Sequence, residues 1–254
     1  MSQAARSLRI AAMADIHYRT TPGDSLASVF AQISEQADVL LICGDLTDYG
    51  LPEEAQIVAK ELAMVRIPVV VVFGNHDYQS NNQGELRKIL TDTGVRVLDG
   101  ESFEIQGVGF AGCKGFCGGF GTRTLEPWGE PIIKAFVQEA LDETLKLESA
   151  LARLRTSRRI AVLHYSPIQE TVEGEPPEIF AFLGSSRLED PINRYSVDAV
   201  FHGHAHRGAP EGKTRDGIPV YNVSVSLLRR RFPDRPPYRI IEIPLDELTT
   251  DEHR

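Results

Sequence analysis

Residues 39–48 read VLLICGDLTD, a run of five apolar residues followed at once by a glycine and two acidic residues. A similar arrangement occurs at residues 8–17, LRIAAMADIH, and again at residues 69–77, VVVVFGNHD. Short apolar runs that end in turn-forming residues are typical of buried strands. The three segments therefore predict strands at Leu8–Ala14, Val39–Cys43 and Val69–Phe73, each with polar side chains at its end.

Helical patterns separate these strands. They cover Leu26–Gln36, Pro52–Val65 and Glu85–Asp92, and the second has proline in its first turn, where helices tolerate it. A strand and helix that alternate in this way predict parallel strands joined by right-handed crossovers. The chain is therefore expected to have an α/β fold.

The second half of the chain is predicted to add shorter strands and one long helix. The predicted strands are Val95–Leu98, Phe103–Ile105, Val108–Ala111, Arg159–His164, Asp198–Phe201, Pro219–Val225 and Tyr238–Ile243. Gly112–Glu130 is rich in glycine and predicts a long loop, and Pro131–Arg155 is the longest helical pattern. Since no repeat or linker interrupts the chain, residues 1–254 are expected to form one domain with a frayed polar tail from about residue 249.

Composition limits the classes of function. The 254 residues carry a formal net charge of −9, which disfavours non-specific binding to nucleic acid. The cysteines, Cys43, Cys113 and Cys117, have neither a disulfide nor a zinc-ribbon pattern and are expected to be free thiols. Because no segment reads as a secretory signal or a membrane span, we expect a cytoplasmic protein without membrane contact.

The histidines carry the strongest functional signal, because six of the seven lie at or just beyond predicted strand ends. The clusters are Asp15-Ile16-His17, Gly44-Asp45-Leu46-Thr47-Asp48, Gly74-Asn75-His76-Asp77, His164 and His202-Gly203-His204-Ala205-His206. In open α/β sheets, ligands bind in the crevice outside the carboxyl ends of the strands. Carboxylates and imidazoles gathered there need cations to compensate them, so the pattern predicts a metal site.

The donor types narrow the choice of metal. Imidazole nitrogens combined with carboxylate and amide oxygens suit manganese, iron, cobalt, nickel or zinc. No cysteine belongs to the set, which argues against a structural zinc site or an iron–sulfur cluster. The set also exceeds the roughly four to six ligands that one ion takes, so two ions sharing a bridging carboxylate are expected.

Together, and in this order, the clusters resemble the calcineurin-like metallophosphoesterase superfamily. Its pattern is Asp-x-His, Gly-Asp-x-x-Asp, Gly-Asn-His-Asp/Glu, a lone His and Gly-His-x-His, and all five elements occur between Asp15 and His206. The compact length and motif set are most similar to small bacterial phosphodiesterases, including those that cleave cyclic nucleotides. The resemblance implies a four-layer α/β/β/α sandwich of two mixed sheets flanked by helices.

The resemblance also implies a role for each motif residue. The implied ligands are Asp15, His17 and His206 for the first metal, Asn75, His164 and His204 for the second, and Asp45 as the bridge. His76 would approach the scissile phosphate and protonate the leaving oxygen, with Asp48 orienting its imidazole. Two divalent transition-metal ions, with manganese or iron favoured, would supply the attacking hydroxide from a bridging water.

Other residues near the motifs have two interpretations. His202 could contact substrate or fill a structural role at a strand end. Lys114 and Arg123, in the segment Gly112–Glu130, could pair phosphate oxygens or remain solvated charges on a surface loop. Asp77 would either support the site or cap the following turn.

Two features of the C-terminal third concern association with other molecules. The basic run Arg229–Arg231 predicts a solvated loop or a dimer contact. An exposed apolar edge near Pro219–Leu228 could serve a homodimer.

The predicted function is hydrolysis of a small phosphodiester. Tyr49 stands where phosphoprotein phosphatases carry arginine, and Asp48 stands where purple acid phosphatases carry a metal-binding tyrosine. Both departures disfavour those branches. Phosphomonoester hydrolysis of a small metabolite is the alternative, and a non-catalytic metal-binding scaffold is a third reading that the complete motif set opposes.

Overall fold

The computed structural model describes residues 6–21, 23 and 25–245. Within these residues the strands are β1 Ser7–Met13, β2 Val39–Cys43, β3 Val69–Val72, β4 Arg96–Val97, β5 Glu101–Ile105, β6 Val108–Gly112, β7 Arg158–Val162, β8 Ala199–His202, β9 Glu211–Lys213, β10 Pro219–Asn222 and β11 Arg239–Pro244. They form a five-stranded sheet in the order β11-β1-β2-β3-β4 and a six-stranded sheet in the order β5-β6-β7-β8-β10-β9. Both sheets are mixed, because β11, β5 and β9 run antiparallel to their neighbours.

Helices cover the outer faces of these sheets. Over the same residues they are α1 Ala27–Gln36, α2 Pro52–Leu62, α3 Gln83–Asp92, α4 Pro131–Arg153, α5 Phe180–Leu183, α6 Glu189–Arg194 and α7 Val225–Arg231. Short 3-10 turns lie between several of them. In the part of the chain that the structure describes, no helix combines the length and apolarity needed to cross a bilayer.

Three apolar cores separate four layers. Helices α1, α2 and α3 pack on one face of the first sheet through Phe30, Val58 and Leu86 against Leu40 and Ile42. The other face of that sheet packs on the second sheet through Leu41 and Val70 against Phe110, Ile160 and Phe201. Helices α4 and α6 cover the far side of the second sheet through Leu147, Leu151 and Ile192 against Ala161 and Val200. Each sheet is therefore buried on both faces, which explains the nearly continuous apolar runs in β1, β2 and β3.

The sequence-based fold class is confirmed by this arrangement. Strands β1, β2 and β3 are parallel, with Ala11 opposite Leu40 and Leu40 opposite Val69. The predicted strand pair at 95–98 and 103–105 divides between the sheets, because β4 closes the first sheet whereas β5 begins the second. The tail predicted to fray from about residue 249, like His253, lies outside the described residues.

The segment Pro219–Val225 differs from its prediction. The strand ends at Asn222, and Val225 begins α7 instead of continuing the sheet. The apolar residues Val225 and Leu228 are three apart and both buried, which is helical spacing that a short apolar run does not distinguish from a strand.

The prediction of an exposed apolar edge near Pro219–Leu228 is also wrong. Strand β10 lies inside the sheet, hydrogen-bonded to β8 on one side and to β9 on the other. Val220 and Leu227 are fully buried within this protomer. The edge strand is β9, whose residues are polar or glycine and which offers no apolar surface for association.

The loops that follow β2, β3 and β7 lie in close contact. A Cβ atom on Gly44 would lie 2.4 Å from Nδ1 of His164, and one on Gly74 would lie 2.1 Å from Oδ1 of Asp45. Any larger residue at either position would displace a motif side chain. These two glycines therefore allow loops from different sheets to share one small volume.

We predict that Gly74→Ala lowers the free energy of unfolding by about 1–3 kcal/mol, the usual cost of overpacking a filled site. Its methyl group would also meet the backbone nitrogen of Asp45 at 2.5 Å, and backbone cannot move aside as a flexible side-chain end can. Urea unfolding followed by circular dichroism measures the change. Gly84→Ala in α3 is the matched control, because nothing lies within 4 Å of its added Cβ. Equal unfolding midpoints for the two variants would contradict the packing argument.

Candidate metal centre

Side chains from both sheets meet at the carboxyl ends of the central strands. The first group consists of Asp15, His17, Asp45 and His206, each with a donor atom within 4.8 Å of the others. Asp15 and His17 follow β1, Asp45 follows β2, and His206 follows β8. The structure thus brings together the residues that the sequence assigns to the first metal and the bridge.

A second group shares Asp45 with the first. It contains His164 and His204, again with donor atoms within 4.8 Å. Oδ1 of Asn75 lies 3.0 Å from Nε2 of His164, so the amide predicted for this metal faces the same point. All residues predicted for the second metal therefore converge as well.

The hydrogen bonds of His164 leave an electron pair aimed at its neighbours. Its Nδ1 lies 2.9 Å from the carbonyl of Cys43, and because a carbonyl only accepts, Nδ1 must carry the proton. Burial lowers the pKa of His164 well below its usual range, so the ring is neutral and Nε2 is an acceptor. Oδ1 of Asn75 at 3.0 Å and Oδ2 of Asp45 at 3.4 Å are also acceptors. Three converging acceptors without a proton between them fit a cation.

In the first group, the surroundings of His17 also fit a cation. Neither ring nitrogen has a hydrogen-bond partner, although both are buried. Nδ1 lies 3.3 Å from the Asp48 carboxylate and Nε2 lies 3.9 Å from Asp45, but neither contact has hydrogen-bond geometry. Burial also lowers the pKa of His17, which favours the neutral imidazole that binds metals. An unpartnered buried imidazole beside two carboxylates fits a metal ligand.

Asp45 occupies the position between the two groups. Its Oδ1 accepts the backbone N–H of His76 at 2.9 Å, which leaves Oδ2 facing both His17 and His164. Burial, followed by repulsion from the carboxylates of Asp15 and Asp77, raises the pKa of Asp45 well above its usual range. A carboxylate this crowded is ionised at neutral pH only if positive charge is close.

Asp15 has the opposite electrostatic environment. Burial alone would raise its pKa, but His206 lowers it below its usual range, since Nε2 of His206 lies 3.3 Å from Oδ1 of Asp15. The same contact raises the pKa of His206. Asp15 is therefore charged, and it also accepts the backbone N–H of His204 at 3.1 Å through both oxygens.

The backbone at these loops is held in an uncommon conformation. Four of the site residues have positive φ without being glycine: Asp15 at 58°, His17 at 43°, Asp45 at 51° and His204 at 67°. Each such residue costs of order 1 kcal/mol or more and persists only where its surroundings require it. Clustering of this strain at the strand ends is typical of a functional site.

His76 lies beside His17, with ring centroids 4.6 Å apart, and its side chain is partly exposed. Its Nδ1 lies 2.7 Å from the backbone carbonyl of Asp48, which fixes the proton on Nδ1 and leaves Nε2 free. The Asp48 carboxylate lies 3.9 Å away from the same nitrogen. That carboxylate instead forms an ion pair with Nε of Arg19 at 2.7 Å. Asp48 is thus placed to orient His76, but its main chain makes the hydrogen bond that the sequence predicts for its side chain.

Asp77 joins two of the motif loops. It is fully buried and accepts hydrogen bonds from the backbone of Leu46, Thr47 and Gly74 and from the Thr47 hydroxyl. These bonds tie the loop after β2 to the loop after β3. The carboxylate therefore holds Asp45 and Asn75 in relation to each other, which is the supporting role and not the turn cap.

His202 does not face the two ligand groups with a free nitrogen. It is fully buried, with Nδ1 2.8 Å from the Gly203 carbonyl and Nε2 2.8 Å from the Thr171 hydroxyl. Burial lowers its pKa to about 4, so it is neutral. This placement matches the structural interpretation of a strand-end histidine and not a substrate contact.

Lys114 likewise lies inside the protein, with 7% of its surface exposed. Its Nζ donates to the Gly115 carbonyl at 2.8 Å and lies 4.8 Å from the Phe116 ring centroid. This geometry opposes a phosphate contact from Lys114. Arg123 is exposed in a 3-10 turn, and the structure brings it to neither ligand group.

The segment Gly112–Glu130 is a loop in two parts. Residues as far as Phe120 are largely buried, and Gly118 donates its N–H to the Ala181 carbonyl at 2.8 Å. Gly119 forms a bridge with Ser185, so this part is held against the segment around α5. The remaining residues, 121–130, are mostly exposed.

Main-chain carbonyls also position the histidines of the site, and the sequence does not indicate which carbonyls do so. The carbonyl of Phe182 lies 3.1 Å from Nε2 of His204, which leaves Nδ1 of that ring for a ligand. Cys43 and Asp48 also act through main-chain carbonyls. Such acceptors exist at every residue, so only the three-dimensional structure shows which ones fix the imidazoles.

Comparison with known proteins agrees with these observations. The family of calcineurin-like phosphoesterases matches residues 8–208. The chain is 24% identical over 179 residues to a probable glycerophosphodiester phosphodiesterase, GpdQ, of Arcobacter nitrofigilis, covering 69% of this chain and 59% of that protein. It is 25% identical over 193 residues to a probable cyclic nucleotide phosphodiesterase of Vesicomyosocius okutanii, covering 73% of this chain and 70% of that protein. The match thus spans less than two thirds of the first relative's length.

Solved structures share the fold. Phosphopantetheinyl hydrolase from Mycobacterium tuberculosis is similar with a TM-score of 0.66 and 16% identity, and the match covers 99% of each chain. TT1561 of Thermus thermophilus is similar with a TM-score of 0.54 and 13% identity, covering 95% of this chain and 100% of that one. At these identities the similarity shows the fold alone. The family match over most of the sequence shows that the chain belongs to the calcineurin-like phosphoesterases, a family of metal-dependent phosphoric ester hydrolases.

Proposed function

We propose that this chain is a binuclear metal-dependent phosphodiesterase that hydrolyses a small phosphodiester. The observation that carries the proposal is the convergence of acceptors from five strand-end loops around Asp45. The names of both sequence relatives, a glycerophosphodiester and a cyclic nucleotide phosphodiesterase, support a diester as substrate. The negative net charge supports a small substrate over a nucleic acid. Three buried free thiols support a reducing, cytoplasmic setting.

The proposed ligands divide between two divalent ions. Those of the first ion are Asp15, His17 and His206; those of the second are Asn75, His164 and His204; Asp45 contributes to both. The unpartnered nitrogens of His17 and the facing acceptors of His164 and Asn75 support this division. Nitrogen and oxygen donors suit manganese, iron, zinc, cobalt or nickel, with manganese and iron favoured. When bound, such ions supply Lewis acidity toward phosphoryl oxygens and lower the pKa of water.

The protein's own residues orient the site for in-line displacement at phosphorus. Carbonyls of Cys43 and Phe182 set the tautomers of His164 and His204, so each ring presents one unprotonated nitrogen. Oδ1 of Asp45 is held by the N–H of His76, which fixes the carboxylate between the two groups. Because these contacts exist without substrate, no reorganisation of the ligands is needed during the reaction.

His76 is the proposed general acid. Its Nδ1 proton is held by the Asp48 carbonyl, so only Nε2 can gain a proton from solvent and pass it to a leaving oxygen. The ring is partly exposed next to His17, where an ester oxygen can reach it. It contributes no ligand atom to either group in this assignment.

The proposed reaction class is tested first with bis-p-nitrophenyl phosphate and p-nitrophenyl phosphate. We expect a higher kcat/KM for the diester, loss of activity with a chelator, and recovery on addition of manganese. Faster hydrolysis of the monoester would favour the phosphomonoesterase alternative. No hydrolysis of either ester with any of the five metals would contradict the enzyme and favour a binding module.

The role of His76 is tested by His76→Ala with two diesters that differ in leaving group, ethyl p-nitrophenyl phosphate and ethyl phenyl phosphate. The phenyl ester needs a proton more, so its kcat should fall by about 10²–10⁴-fold, and the p-nitrophenyl ester should lose much less. Metal content by mass spectrometry should equal that of the wild type, because His76 is not a proposed ligand. Equal losses on both esters would remove the acid role.

A further inference from the structure

A cavity of about 500 Å³ opens beside the candidate metal centre. Its wall includes His17, which also belongs to the first ligand group, so the cavity and the centre share a side chain. A volume of this size accommodates a small organic molecule. An ester arm of a phosphate positioned at the centre can therefore extend into this cavity.

Arg19 lines the cavity, with its guanidinium next to the Asp48 carboxylate. Its Nε forms an ion pair with Oδ2 of Asp48 at 2.7 Å, and the same carboxylate lies 3.3 Å from Nδ1 of His17. Among the described residues, the Nη groups of Arg19 make no hydrogen bond that would occupy them, and the side chain is 58% exposed. A guanidinium whose Nη groups have no partner presents N–H donors that match a carboxylate or phosphate.

Arg229 lines the same cavity from α7. Within residues 25–245 the Arg229 side chain forms no ion pair or hydrogen bond, so its N–H groups are available to a ligand. The next residue, Arg230, donates from Nη2 to the His206 carbonyl at 2.9 Å and thereby holds the end of α7 next to the ligand group. The basic run of the sequence is thus part of a helix beside the centre, and not a solvated loop.

Apolar side chains also line the cavity. Leu26 and Val225 are buried, and Ile57 is partly buried. These residues can contact the carbon atoms of an ester arm while the arginines contact its charge. Glu61 also lines the cavity, and its two carboxylate oxygens accept hydrogen bonds from the Tyr18 and Ser25 hydroxyls. Two arginines at one cavity therefore form a local positive site on a chain with a formal charge of −9.

We propose that this cavity is a second substrate subsite, in which Arg19 and Arg229 bind an additional anionic group carried on one ester arm of the phosphodiester. The anion is a carboxylate or a phosphate, since both match the guanidinium fork. The subsite rests on the proposed function, because it holds a substrate whose scissile phosphate lies at the metal centre. It narrows the substrate class to small diesters with a charge beyond that of the phosphodiester itself.

The proposal is tested with p-nitrophenyl phosphodiesters that differ only in the second arm: ethyl, 2-carboxyethyl, 2-phosphoethyl and 2-aminoethyl. The leaving group is the same throughout, so release of p-nitrophenolate compares the arms directly. We expect the wild type to have a higher kcat/KM for an anionic arm than for ethyl, and the lowest for the aminoethyl arm. The kcat/KM for the anionic arm should exceed that for the ethyl arm by roughly tenfold or more, which is the effect of one charge-assisted hydrogen bond. Preference for only one of the two anions identifies it as the group bound.

Arg229→Met is the decisive variant, because Arg229 is exposed and its loss leaves the Asp48 contact of Arg19 intact. The ratio of kcat/KM for the anionic arm to that for the ethyl arm should fall by about tenfold, and Arg229→Lys should restore part of it. Arg231→Met is the matched control on the same helix, since Arg231 does not line the cavity, and it should keep the wild-type ratio.

Two results would overturn the subsite while leaving the phosphodiesterase in place. One is a wild-type enzyme that hydrolyses the ethyl and anionic esters with equal kcat/KM. The other is an Arg229→Met ratio equal to that of the wild type. A wild type that hydrolyses none of the four esters would instead overturn the proposed function, and the subsite with it.

Discussion

The structure depends on one electrostatic constraint, which is that buried carboxylate, imidazole and amide groups converge around Asp45. Asp45 faces His17 and His164 through one oxygen, and Oδ1 of Asn75 completes the same small volume. Burial of these groups is unfavourable unless their charge is compensated, and a bound cation would supply that compensation. Positive φ angles at four ligand residues and close contacts at the neighbouring glycines are local costs that this arrangement imposes.

The site needs side chains from both sheets of the sandwich. Loops after β1, β2 and β3 supply Asp15, Asp45 and Asn75, whereas loops after β7 and β8 supply the imidazoles of His164 and His204. The two halves meet only because the apolar faces of the sheets pack together and bring the strand ends into one crevice. Folding and assembly of the centre are therefore the same event, and ligand binding is expected to stabilise the folded state.

The central strands and the polar clusters at their ends could be predicted from the sequence, because both follow from the pattern of apolar and polar residues. Apolar runs located β1–β3 to within about a residue, and the polar clusters that follow them lie in one crevice as parallel strands require. Long-range partners could not be predicted. Asp48 pairs its carboxylate with Arg19 and uses its main chain for His76, a choice that depends on loop geometry and not on residue type. The sequence suggests either a phosphate contact or a solvated surface charge for Lys114, but the residue is buried and its Nζ lies over the rings of Tyr78 and Tyr165 from distant segments.

The most direct measurement of the central claim is anomalous diffraction from crystals of the wild type and of Asp45→Asn soaked in manganese. The wild type should show two manganese peaks on either side of Asp45, one beside Asp15 and His206 and the other beside His164 and His204. Asp45→Asn, which keeps the side-chain shape but removes the shared charge, should lower the occupancy of both peaks. The exposed Asp142→Asn is the matched control and should match the wild type. A wild-type crystal with no manganese at these groups, or an Asp45→Asn crystal with both peaks at full occupancy, would contradict the account.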